Sequence, residues 1–181
     1  MRSFILVMLL LFLAVLLCHS QSLPKHLKIA ESYVGTREAT GNNDGPKIEY
    51  IIRRGHGAPN SSYCAFFITL CLDSAKVKYP KIRSGMARDF KIKGSIPAKD
   101  VLIGKVKIPP GTIIIWQNGK TIHGHAGFVR KWYKQYGLTV EGNTSGGATG
   151  SQSNGDGIWN KSRSIEPANY FRITTFTLVT Y

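Results

Sequence analysis

The chain has 181 residues, with 24 Lys and Arg against 10 Asp and Glu and a formal charge of +14 at pH 7. That length suits one ordinary domain able to bury a core, and the absence of a Pro- or Ser-rich linker or an internal repeat argues against a second. So basic a protein is drawn to polyanions, although charge alone is better satisfied by a solvated surface with no dedicated site.

Taken in order, Met1-Arg2-Ser3 precedes an unbroken apolar run from Phe4 to Leu17, and Cys18-His19-Ser20 follows it. A positive charge, a short apolar run and small polar residues spell a secretory signal peptide over residues 1–20. A membrane-spanning helix needs about 20 apolar residues, more than this run offers. The expectation is a secreted or periplasmic protein with no stable membrane insertion after cleavage at Ser20 or Ser22. In the alternative reading Cys18 carries a lipoprotein anchor, although Val15-Leu16-Leu17 lacks the small residues expected before such a cysteine. Cleavage removes Arg2, leaving 23 basic against 10 acidic side chains, a charge of +13. Outside the cytoplasm this charge meets wall polymers and acidic lipids, and nucleic acid is not the expected partner.

Residues 21–181 then read as a single domain. Leu23, Leu27, Ala30 and Val34 fall at helical spacing behind Pro24 and predict an amphipathic first helix. The turn-rich Gly41-Asn42-Asn43-Asp44-Gly45-Pro46 leads to Ile48, Ile51 and Ile52, which suggest a short helix. The irregular stretch Gly55 to Ser62 approaches Tyr63 to Ala75, apolar on nearly every side and suited to a buried helix. Asn60, Ser61 and Ser62 are its candidate caps. Cys64 is thereby predicted in the first turn and Cys71 two turns deeper. Two residues so spaced on one helix stand about 10.5 Å apart along its axis. A disulfide needs Cα atoms within about 7 Å, so both thiols are predicted free.

After Gly104 the pattern turns extended. Thr112 to Trp116 reads as a strand, and Gln117-Asn118-Gly119-Lys120 carries the Asn-Gly pair of a tight hairpin. Ile122 to Trp132 is the predicted return, Leu138 to Glu141 a further strand, and Gly157 to Trp159 with Ser164-Ile165 another. Tyr170 to Val179 closes the chain with strand-forming residues, and Gly142 to Gly157 is predicted to be a loop. Helices first and an antiparallel sheet after them make an α+β layout, with N-terminal helices packed on a C-terminal antiparallel β-sheet.

A thiol is a good nucleophile only as thiolate, and the start of a helix favours that form, which singles out Cys64. Cys71 reads as a buried structural cysteine. The nucleophile needs a base, and the base needs a third group to fix its tautomer. His125, flanked by the small residues Gly124 and Ala126, is the candidate base. Glu141 ends a following strand that can bring a carboxylate beside it. His123 competes, because residues two apart on a strand share a face. A His123/His125 zinc site lacks a convincing third ligand, since His56 lies in a loop and His26 on the first helix.

Tyr63-Cys64-Ala65-Phe66-Phe67, Pro110-Gly111-Thr112-Ile113-Ile114-Ile115-Trp116, Gly124-His125-Ala126-Gly127-Phe128-Val129 and Glu141-Gly142-Asn143-Thr144 resemble, in that order, the motifs of the CHAP family. These cysteine amidohydrolases and peptidases belong with the NlpC/P60 proteins to a papain-like clan, and the resemblance covers roughly residues 24 to 181. It implies a papain-like, NlpC/P60-like fold and hydrolysis of an amide in bacterial peptidoglycan, by an endopeptidase or an N-acetylmuramoyl-L-alanine amidase, without a cofactor. It further implies Cys64 as nucleophile, His125 as base, Glu141 as orienting acid and Asn143 as a supporting group near the histidine. Tyr63 departs from the residues common before the nucleophile, which leaves Asn60 or Ser62 as candidates for the second oxyanion donor. Two alternatives stand beside this. One is a wall-binding module without catalysis, using Trp116, Trp132, Trp159 and Tyr133. The other is an antibacterial toxin of the same chemistry, which would have a small exported inhibitor as partner.

Overall fold

A computed structural model gives the fold and describes residues 22–119, 121–146, 155–165 and 172–181. The segment read as a leader, residues 1–20, lies outside the described residues, as do residues 147–154 of the predicted 142–157 loop. Helix α1 spans Lys25–Ser32, α2 spans Pro46–Arg54 and α3 spans Cys64–Ser74. A 3₁₀ turn at Ala87–Phe90 leads to the short strand β1, Ile96–Pro97, and helix α4, Ala98–Leu102. Strands β2 (Ile113–Gln117), β3 (Gly124–Trp132), β4 (Tyr136–Thr144), β5 (Gly157–Ser164) and β6 (Arg172–Thr177) complete an antiparallel sheet ordered β1-β6-β2-β3-β4-β5. Among the described residues no helix is long and apolar enough to cross a membrane. The α+β layout read from the sequence is the layout observed.

The sheet is covered on both faces because its central strands are apolar on both. Ile113, Ile115, Ala126, Phe128, Val140 and Ile158 join one core with α1, α2 and α3. Their alternating neighbours Ile114, Trp116 and Val129 face a second core with Ala98 and Val101 of α4, Ile165 and Phe176. Within α3, Phe67, Ile68, Cys71 and Leu72 are wholly buried and Leu70 nearly so, and burying each large apolar side chain contributes about 1.5–3 kcal/mol. This burial holds a helix whose start has no side-chain cap: Tyr63 is the capping residue, and Asn60, Ser61 and Ser62 do not fill the role predicted for them. Tertiary contact replaces the cap. A Cβ placed on Gly55, Gly57 or Gly85 would come within 2.3 to 2.5 Å of the Phe66 ring, so these glycines form a slot that grips the first turn.

Three further expectations are corrected. The predicted tight hairpin is a wider connection, for β2 ends at Gln117 and β3 begins at Gly124, its paired residue. The amide of Asn118 reaches the carbonyl of His123 at 3.1 Å, closing a loop with four residues between them where an Asn-Gly turn would have two. The predicted loop after Glu141 starts later, because Gly142, Asn143 and Thr144 remain in β4. Gly157 to Ser164 is one continuous strand, held along its length by β4.

Candidate active site

The start of α3 lies where β3 begins and β4 ends. Phe67 packs on Gly142, and the Tyr63 phenol accepts a hydrogen bond from the main chain of Asn143. The same phenol donates to Glu38 Oε1 at 3.0 Å, and Glu38 is carried there because residues 35–38 hydrogen-bond alongside β5. Burial and the neighbouring Glu38 carboxylate push the Tyr63 hydroxyl far above its usual range, so it stays a neutral donor. Cys64 therefore opens a helix that is fixed from three sides.

His125, the second residue of β3, is fully buried. Its Nε2 donates to Glu141 Oε2 at 3.0 Å, and Glu141 comes from the adjoining strand, where it pairs with Gly127. A Cβ on Gly127 would stand 2.6 Å from Glu141 Cγ, so only glycine leaves the carboxylate its place. Nδ1 is also buried and completes no hydrogen bond of ordinary geometry, yet the Cys64 thiol comes close enough for its hydrogen bonding and charge to act on the ring. This is a thiol–imidazole approach without an aligned hydrogen bond. Burial would lower the pKa of His125, but Cys64 and Glu141 overcome it and raise it to about 9.

Glu141 carries more than the histidine. Arg163 of β5 donates Nε to Oε1 at 2.9 Å and its terminal Nη2 to Oε2, and the Thr139 hydroxyl also donates to Oε1. Burial raises a carboxyl pKa, but Arg163 and His125 outweigh that and hold Glu141 at about 2. Trp116 packs against both ends of this set. Its ring centroid is 5.2 Å from that of His125 and 5.7 Å from the Arg163 guanidinium carbon.

The structure thus brings Cys64, His125 and Glu141 together. Asn143 is adjacent, but its recorded contact is the main-chain one to Tyr63, and its Oδ1 is buried without a partner. Asn60 commits its amide to the Asn42 carbonyl at 2.7 Å, whereas Ser62 is exposed just before the helix. His123 falls outside β3 and is exposed, so the predicted sharing of a face with His125 does not occur. His26 is sealed between the Tyr181 hydroxyl and the Gly111 carbonyl, each 2.8 Å away. Among the described residues no three of His, Cys, Asp and Glu gather as a metal-ligand set. Cys64 and Cys71 are both free.

Arg163, Thr139 and Glu38 are the residues of this site that sequence reading missed. The available signal was alternation: Thr139 and Glu141 share a face of β4, and continuous pairing of β5 with β4 brings Arg163 to that face.

The neighbourhood has the parts of nucleophilic acyl transfer: a thiol at a helix start, a buried imidazole turned toward it, and a carboxylate fixing the far ring nitrogen. Comparison with known protein families, with curated proteins and with solved structures finds no match for this chain.

Proposed function

We propose that this chain is an exported cysteine hydrolase of papain-like fold, akin to CHAP and NlpC/P60 proteins, that cuts an amide bond in bacterial peptidoglycan. The observation that carries the reading is the sequence of contacts from Cys64 through His125 to Glu141 in one buried line. The thiolate of Cys64 attacks the scissile carbonyl carbon, and the carbonyl oxygen takes the negative charge. The first-turn N–H groups of α3 have no partner within the helix and are the natural donors to it, beginning with Cys64 itself. Collapse of the intermediate breaks the C–N bond, and the His125 imidazolium gives its proton to the leaving amine. Water then attacks the thioester with His125 as base, releasing the acid and restoring the thiol.

The substrate class rests on the ordered motifs, the N-terminal leader-like segment and the charge of +13 left after its removal, which suits an anionic wall. The bond lies within the stem or cross-bridge peptide or between the lactyl group and L-Ala. The binding-module alternative has less support, because Trp116 is buried against His125 and Trp159 is engaged by Asp156 and Arg37. Zymography on bacterial walls with the parent protein and Cys64→Ala tests the proposal. Clearing by the parent alone is expected, and equal clearing by both would end it.

A further inference from the structure

Burial of the three reacting groups raises a question of charge. In the reactive state Cys64 is an anion, His125 a cation and Glu141 an anion, a set with one net negative charge inside the protein. Burying an unbalanced charge costs far more than burying a balanced set. Arg163 stands at the open end of this line and makes the count even. It meets both carboxylate oxygens of Glu141, its side chain is 14% exposed, and its guanidinium lies over the Trp116 ring that also packs on His125. The arrangement therefore alternates from Arg163 to Glu141 to His125 to Cys64, cation with anion.

We propose that Arg163 is a positioning residue that balances the thiolate–imidazolium state by holding Glu141 as an anion in one orientation. This deepens the cysteine-hydrolase reading and rests on it. Without Arg163 the buried line keeps one net negative charge and Glu141 loses its two-pronged anchor. The guanidinium fork supplies that balance, and it also fixes which oxygen faces Nε2. Lysine would supply the charge but as a point, without the fork. The other ionisable groups near the set are Lys161, whose ammonium donates to the Ser145 carbonyl at 2.9 Å, Asp156 just before β5, and Glu38, which accepts from the Tyr63 hydroxyl at 3.0 Å beside the start of α3. Asp156 is 3.9 Å from Arg37, and none of the three touches Glu141 or His125 as Arg163 does.

The test compares the parent protein with Arg163→Gln and Arg163→Lys by two readouts across pH. One is the rate of iodoacetamide alkylation at Cys64, resolved from the other cysteines by peptide mass spectrometry. The second is the titration of the His125 ring by NMR. Loss of a nearby positive charge makes every proton harder to remove, so in Arg163→Gln both midpoints move up by about one pH unit, about tenfold in alkylation rate on the acid limb. In Arg163→Lys the midpoints stay near the parent while turnover of walls falls. A filler role for Arg163 would lower turnover without moving either midpoint. Unmoved midpoints in a folded Arg163→Gln overturn the inference, as do midpoints that rise as far in Arg163→Lys. If Arg163→Gln does not fold, Arg163→Met, which also removes the charge while keeping much of the side-chain length, takes its place under the same criterion. A parent Cys64 no more reactive than free cysteine would sink the hydrolase reading instead, and the His125 titration would still judge Arg163.

Discussion

His125 gives its Nε2 to Glu141 at 3.0 Å, which commits one ring nitrogen and leaves Nδ1 for the thiol of Cys64. The two nitrogens thus have separate duties, set by two neighbouring strands and a helix start. Glu141 decides the assignment, because a carboxylate accepts only from a protonated nitrogen.

Glu141→Gln should lower turnover of walls by about 10²- to 10⁴-fold, the range lost when an orienting acid or a general base is disabled. The carboxylate is one of the causes raising His125 to about 9, so its removal lowers the proton affinity of the ring. The alkaline limb of the pH–rate profile should move to lower pH, and a profile that falls uniformly without moving would count against this role.

Gly127→Ala changes no reacting group but places a methyl 2.6 Å from Glu141 Cγ and 3.0 Å from the Val140 carbonyl oxygen. Overpacking of this kind costs about 1–3 kcal/mol of stability. The displaced carboxylate should also cut turnover by at least about tenfold, as small misplacements of catalytic groups do. Thermal unfolding and turnover measured together check both halves.

Stability should depend on pH through the His125–Glu141 pair. The folded pKa of His125 is raised from 6.5 to about 9, so its contribution is complete below 6.5 and disappears as pH climbs through 9. That of Glu141 is lowered from 4.5 to about 2, so its contribution is complete above 4.5 and disappears as pH falls through 2. Both contributions are complete between those ordinary values, with Cys64 adding to the one and Arg163 to the other. Urea unfolding at a series of pH values should show the alkaline decline, and His125→Asn should flatten it.

Cys71 should be inert where Cys64 is reactive. It is wholly buried, and burial pushes its thiol well above the ordinary range. Iodoacetamide should label Cys64 in the native protein and Cys71 only after denaturation. Cys71→Ala should retain turnover while losing about 1–2 kcal/mol of stability to the small cavity.

Cys64, His125 and Glu141 were legible because each sits in a local pattern: an apolar helix start, a strand flanked by small residues, a strand end. Arg163 was not, because its importance is a cross-strand relation to Glu141 and the sequence around it reads as broken strand. The Asn-Gly pair promised a tight hairpin, and β2 and β3 instead part at Gln117 and Gly124, with tertiary packing overruling local turn preference. The caps expected at Asn60, Ser61 and Ser62 failed for a similar reason, since Phe66 in its glycine slot fixes α3 without them.

The strands carrying His125, Glu141 and Arg163 are consecutive in the chain and adjacent in the sheet, whereas Cys64 arrives from a helix far upstream. Near-neighbour strand pairs close small loops and form early, and long-range docking comes late. On the proposed function, the thiol of a nascent or half-assembled chain would lack its base, and the chemistry would be armed only by the final closure of the molecule.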